Sequence, residues 1–477
     1  MLFNSLDFGI FFPIVFILYW IFFRKNITAR NIYLIAVSYI FYGWWDWRFL
    51  SLIIISSTVD FIAGGQIFKA TEQRTRKTWL IISLVVNLGF LGFFKYFNFF
   101  ADSFVDAFKI LGADFKPSRL NIILPVGISF YTFQTLSYTL DIYYKKLEPT
   151  RDVFSFFAFV SFFPQLVAGP IERARHLLPQ FYSERTIDYN MLRSGMIMMG
   201  WGFFKKIIIA DRLAIFVDGV YGDVGAVSGL PLILGVVFFG IQLYLDFSAY
   251  SDIAIGTARM LGFELSENFR RPYFASSFSD FWKRWHISLS SWFRDYVFIP
   301  LGGSRVKKAK IIRNIAVVFL LSGLWHGASW NFVIWGAING LFLILFDSFL
   351  DREEKKLPGK IFSALFVTAC WMISLIFFRA QTFGDAITVY THLFQSAGHL
   401  VTEFGLGAME LKMTYFLLLF FFIVEIFLES RDNLYEWFSR RHFLIRWTVY
   451  LALTASIIML GSYGVGLNDT NFIYFQF

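Results

Sequence analysis

His326 is the one ionisable side chain between Asn314 and Phe346, a stretch with no Asp, Glu, Lys or Arg. At membrane depth such a group is costly and marks function by default; the plainer alternative is a histidine hydrogen-bonded between helices. Ser322, Trp325, Ser329 and Asn331 supply donors and acceptors around it. His286 lies in DFWKRWHISLSSWFRDY, Asp280 to Tyr296, among Trp282, Trp285 and Trp292. Helical spacing sets those tryptophans near one face with Leu289 and lets Lys283 and Arg294 reach headgroups, the pattern of an interfacial helix. In the functional alternative His286 enters one cavity with His326. Histidine in a membrane cavity suits proton abstraction near neutral pH.

Other chemistries lack their residues. No H-E-x-x-H, G-x-x-x-x-G-K-[ST] or Gly-x-Ser-x-Gly occurs, and Gly302-Gly303 is too short for a dinucleotide fingerprint. Cys370 stands alone, so neither an internal disulfide nor a cysteine metal cluster can form. No metal is expected, and no cofactor-binding residue is legible. Gln134, Ser137, Tyr138 and Asp141 form one polar stripe, and Asp246, Ser248, Tyr250, Ser251 and Asp252 form another. Both suit interhelical hydrogen bonds or substrate contact. His176, His392, His399 and His442 fall in expected loops, where solvation explains them.

The elements that position these groups are membrane helices. Hydrophobic residues make up 57% of the chain and charged ones 16%, against about 25% charged in soluble domains. The net charge of +9 is scattered in short clusters between apolar runs, which argues for topology signals rather than a nucleic-acid face. Apolar runs near spanning length cover roughly 8–23, 31–45, 49–66, 79–100, 121–144, 152–168, 191–210, 230–262, 314–346, 361–378, 411–428 and 446–465. The expected fold is all-α: a polytopic transmembrane bundle of about 10–12 spanning or re-entrant helices around a central tunnel or cavity, in one domain over 1–477. The first run has no basic start and no small-residue cleavage pattern, so it is expected to stay as a membrane helix.

Arg24, Lys25 and Arg30, then Lys69, Arg74, Arg76 and Lys77, then Lys145, Lys146 and Arg151 alternate as cytoplasmic loops should, with the mixed-charge loop Asp102 to Lys116 outside. Asp351 to Lys360 and Arg431 to Arg446 are also basic-rich, while Gln381 to Leu411 holds no Lys or Arg, which places both termini outside. Between these ends Arg173, Arg175, Lys205, Lys206, Arg270, Arg271 and the 305–313 cluster come too often for full crossings. Some segments should therefore be re-entrant or interfacial, with broken helices at Pro125, Pro164, Gly169 and Pro170 around an internal cavity.

Six stretches carry a resemblance: LPVGISFYTFQTLSYTLDIYYKKLEP, FFPQLVAGPIERARHLLPQF, YLDFSAYSDIAIG, NFRRPYFASSFSDFWKRWHISLSSWFRDYVFIPLGGSR, LLSGLWHGASWNFVIWGAINGL and the closing NFIYFQF. Over nearly its whole length the chain resembles the membrane-bound O-acyltransferase family, and within it the bacterial branch that acetylates polysaccharides such as alginate. The resemblance implies a multi-pass protein of the bacterial cytoplasmic (inner) membrane. It makes His326 the catalytic residue and His286 a second functional histidine. It further implies acyl transfer from an acyl-thioester donor, acetyl-coenzyme A, with no tightly bound cofactor and no nucleic acid. Acetyl groups would pass to an extracytoplasmic esterase-like acetyltransferase partner. His326 would act as general base or carry a transient acyl group. A polytopic transporter or channel is the rival reading, since polar stripes and broken helices also line substrate pathways. The charge pattern predicts that reporters at Met1 and after Phe477 read extracytoplasmic and those at Arg76 and Lys356 cytoplasmic; a cytoplasmic carboxyl end would overturn the count.

Overall fold

The structure, a computed structural model, describes residues 1–110, 112, 119–350, 357–396, 398–430, 437–438, 440–462 and 472. The basic stretches 351–356 and 431–436, the loop residues 113–116, the end of the 446–465 run and NFIYFQF apart from Phe472 lie outside these residues. Among the described residues every regular element is helical, and nine segments are long and apolar enough to cross a membrane. The runs 121–144, 152–168 and 191–210 are not among the nine. The first begins its helix only at Ile128, after Gly127 takes a left-handed conformation at φ 75°, and the second breaks between Val153–Ser161 and Phe163–Leu166, where Pro164 opens the new turn.

The described residues fall into two compact units. The first comprises Met1–Met196 with Ala254–Ser266. Its inner helix, Ile128–Tyr143, is buried almost throughout, so its polar stripe faces protein: Gln134 donates to the Phe159 carbonyl at 2.7 Å, and the Tyr138 hydroxyl accepts from Thr150 N–H at 3.1 Å. Buried Asp60 of Leu50–Lys69 accepts from Ser83 at 2.6 Å and from the Asn87 amide at 3.0 Å, fastening that helix to Gln73–Leu91. Arg30 is fully buried, donating to the carbonyls of Phe181 and Ser183 and to Asn31, so it caps backbone instead of meeting headgroups.

The second unit comprises Ile197–Ile253 with Glu267–Phe477. Lys205 and Lys206 are buried side chains of the π-helical turn Phe204–Ala210 rather than loop charges. Lys205 reaches Asp252 at 2.8 Å and Ser248 at 2.7 Å, while Lys206 reaches Asp246 at 2.6 Å and Asp211 at 2.8 Å. These contacts absorb the carboxylates of the second polar stripe, because a charge out of water persists only with a partner.

The charge-free run 314–346 is two helices, Lys308–His326 and Trp330–Leu350, and not one crossing. Gly327 is extended at the break, where a Cβ would fall 2.1 Å from the Phe332 ring. The two helices approach closely over glycine: a Cβ on Gly323 would lie 2.2 Å from the Phe332 carbonyl oxygen, and one on Gly336 2.3 Å from that of Phe319. Neither backbone can yield cheaply. Gly323→Ala should cost about 1–3 kcal/mol and lower the melting temperature of the detergent-solubilised chain, whereas Gly89→Ala, which meets open space, should not. Equal melting of the two variants would show that the hairpin relaxes without loss.

Candidate active site

The 280–296 stretch is not a single interfacial helix. It forms two short helices, Phe278–Arg284 and Ile287–Phe293, and His286 stands at the break with φ 43°, a left-handed conformation unusual for a non-glycine residue. The interfacial expectation fails because the chain turns there, so Trp285, Leu289 and Trp292 are buried in protein while Lys283 and Arg294 remain exposed. Two backbone bonds from a neighbouring irregular segment repair the break. Arg270 N–H donates to the Arg284 carbonyl at 2.8 Å, and Ile287 N–H donates to the Asn268 carbonyl at 2.9 Å.

His326 ends the helix Lys308–His326, and its ring centroid lies 6.4 Å from that of His286. Both rings are buried, at 4% and 1% exposure. Trp325 and Trp335 stand 5.0 Å from His326 and Phe378 stands 5.5 Å from it, each roughly edge-on. Phe247 stands 4.7 Å from His286. Both histidines line one cavity of about 700 Å³, whose walls are mainly apolar side chains such as Trp282, Leu289 and Phe319. Lys283, Arg294 and Asp347 also line it, with Asp347 accepting from Ser279 N–H at 2.7 Å and Ser279 O–H at 2.6 Å.

Of the polar residues expected around His326, Ser322 lines this cavity. Ser329 instead accepts from Asn331 N–H at 3.2 Å, and the Asn331 amide donates to the Ala380 carbonyl at 3.0 Å, so both hold the hairpin turn. The other histidines stand elsewhere: His399 meets Glu403 at 2.8 Å and His442 caps the helix Phe443–Leu460, while His176, which meets Glu172 at 2.8 Å, lies in the short helix Ala174–Leu177 and His392 ends the helix Phe383–His392, so neither of these two is in the loop expected for it. The residue that sequence reading left without a role is Asn268, buried, with Oδ1 3.2 Å from His286 Nδ1. Its position before Arg270-Arg271 in NFRRPYF gives no local cue, because its partners are His286 and Ser288, 18 and 20 positions later.

His286 lies outside the nine spanning segments, and burial pushes its imidazole down to about 3. The ordinary value is about 6.5, so the folded protein resists a proton that the unfolded chain accepts. The stability involved is complete above about pH 6.5 and is lost as pH falls toward 3. Between pH 7 and pH 4 the melting temperature of the wild type should therefore fall further than that of His286→Gln; parallel decline would show that His286 is not the sensitive group.

The profile of the membrane-bound O-acyltransferase family matches residues 150–354, which include both histidines. A protein of Azotobacter vinelandii named "Probable alginate O-acetylase AlgI" is 38% identical over 403 residues, 83% of this chain and 79% of its own. The "Peptidoglycan O-acetyltransferase" of Helicobacter pylori is 33% identical over 80% of this chain and 77% of its own. The "Teichoic acid D-alanyltransferase" of Bacillus subtilis is 29% identical over 50% of this chain and 62% of its own. With relatives this similar over most of both lengths, the chain belongs to the membrane-bound O-acyltransferase family.

Proposed function

We propose that the protein transfers an acyl group, acetyl from acetyl-coenzyme A, to a hydroxyl, for O-acetylation of a polysaccharide outside the cytoplasm. The observation that carries this reading is the pairing of His286 and His326, from two separate motifs, in the wall of one cavity. Neutral His326 acts as general base. It takes the hydroxyl proton as the oxygen attacks the thioester carbonyl, the C–S bond breaks, and the departing thiolate recovers the proton from the imidazolium. A thioester already offers a good leaving group, so orientation and proton removal suffice and no metal takes part. Lys283 and Arg294, exposed side chains of the cavity wall, support a donor that carries phosphate.

The names of the relatives support acetyl as the group and a bacterial polysaccharide as its destination. In this reading the protein works in the cytoplasmic membrane of a bacterium and hands acetyl to an extracytoplasmic esterase-like partner. Labelled acetyl-coenzyme A should yield free coenzyme A with the purified chain, whereas a transporter of similar architecture would leave the thioester intact. His326→Ala should lower that release by about 10²- to 10⁴-fold, the usual worth of general base catalysis, while folding and insertion survive. His286→Ala should cost less, because binding is shared with neighbouring groups. Release by His326→Ala at the wild-type rate would overturn the assignment, and a loss matched by loss of folded protein would make His326 structural.

A further inference from the structure

The amide of Asn268 can be oriented without ambiguity. Its Oδ1 faces the backbone N–H of Ser288 at 3.3 Å, a group that only donates, and its Nδ2 faces Ser251 Oγ at 3.1 Å. Turning the amide over would set NH₂ against N–H, so Oδ1 is the atom at that position. The Ser288 hydroxyl donates to the same oxygen at 2.8 Å. An amide oxygen accepts and cannot donate. The 3.2 Å contact from His286 Nδ1 to Oδ1 therefore requires the hydrogen on Nδ1, which leaves the lone pair of the neutral ring on Nε2.

The surroundings fix this arrangement. Asn268 is 1% exposed. Its own carbonyl accepts from Ile287 N–H at 2.9 Å, so main chain and side chain both grip the turn that holds His286 left-handed. A non-glycine residue held in that conformation points to a constraint beyond packing. Ser251, on the long helix Leu230–Met260, anchors the far side of the amide.

From these contacts we infer that Asn268 is a positioning residue: it locks His286 in the Nδ1–H tautomer, so that His286 receives a hydrogen bond from the substrate and does not donate one to the developing oxyanion. The inference rests on the acyl-transfer reading above and divides its labour. His326 takes the proton of the reacting hydroxyl, and Nε2 of His286 accepts from a second donor of the bound substrate, a further hydroxyl or an amide N–H.

The test is nitrogen-15 NMR of the full-length chain in detergent with labelled histidine, the His286 signals being assigned by their loss in His286→Gln. The wild type should show protonated Nδ1 and bare Nε2; the opposite pattern overturns the inference. Asn268→Leu removes the acceptor and should mix or reverse the tautomer. Its coenzyme A release from acetyl-coenzyme A should fall about tenfold or more, within the roughly 10⁴ lost when the tautomer-setting partner of a triad histidine is replaced. Asn268→Asp still accepts from Nδ1, Ser288 and a rotated Ser251 hydroxyl, and should keep both the tautomer and the rate within a few-fold. An Asn268→Leu chain with the wild-type tautomer and rate overturns the assignment. Should that variant fail to fold, the wild-type spectrum and the Asn268→Asp rescue decide. A chain that releases no coenzyme A would sink the acyl-transfer reading, yet the tautomer would still be read from the spectrum.

Discussion

A polar group withdrawn from water must find its hydrogen bonds inside the protein, and a helix broken in a buried place frees backbone groups that need them. His286 stands where the chain leaves one helix and enters the next, which frees backbone groups on both sides. The irregular segment from Asn268 to Arg270 takes up that debt with two main-chain bonds, and the Asn268 side chain then reaches the imidazole. The break, its repair and the protonation pattern of the ring are thus one arrangement. Without the left-handed turn His286 would continue a helix, and without the neighbouring segment the turn would expose unsatisfied N–H and C=O groups.

The same constraint shapes other buried polar groups. Lys205 and Lys206 are adjacent in a π-helical turn, and each finds its own carboxylate, Asp252 for one and the pair Asp211 and Asp246 for the other. Removing one partner from such a pair would strand a buried charge at a cost of about 3–5 kcal/mol, far more than the pair contributes as a pair. Asp60 obeys the rule with neutral donors, Ser83 and Asn87. In each case the polar residue fastens one element to another.

This explains which parts of the fold could be read from sequence. Composition and run length made the membrane helices and the all-α class legible, because lipid demands long apolar segments. Charge position was a poorer guide. Arg30, Lys205 and Lys206 count as loop charges in a linear tally, which cannot see that Phe181, Asp246 or Asp252 lies waiting for them. The run 314–346 was legible as apolar but not as broken, since absence of charge says nothing about a kink; the break falls at Gly327, which packs closely against Phe332. His326 and His286 announced themselves by context, one by isolation and the other by its tryptophans. Asn268 did not, because its role exists only once residues 18 and 20 positions away fold back onto it.

The cavity also needs its two imidazoles to hold their separation, and the aromatic packing supplies a mechanism. His326 packs edge-on against Trp335 at 5.0 Å, Trp335 meets Trp371 at 5.8 Å, and Trp371 meets Trp285 at 4.7 Å. Trp285 is the residue immediately before His286, so a line of packed rings runs from one histidine to the neighbour of the other. Large flat side chains lose little freedom when fixed and bury much apolar area, so they give rigidity at low entropic cost. Hydrogen bonding at Asn268 sets which nitrogen of His286 holds the lone pair, and the ring line sets how far that group stands from His326. Orientation of this kind is what acyl transfer requires of its catalyst, since proximity and alignment alone can supply several kcal/mol of the barrier.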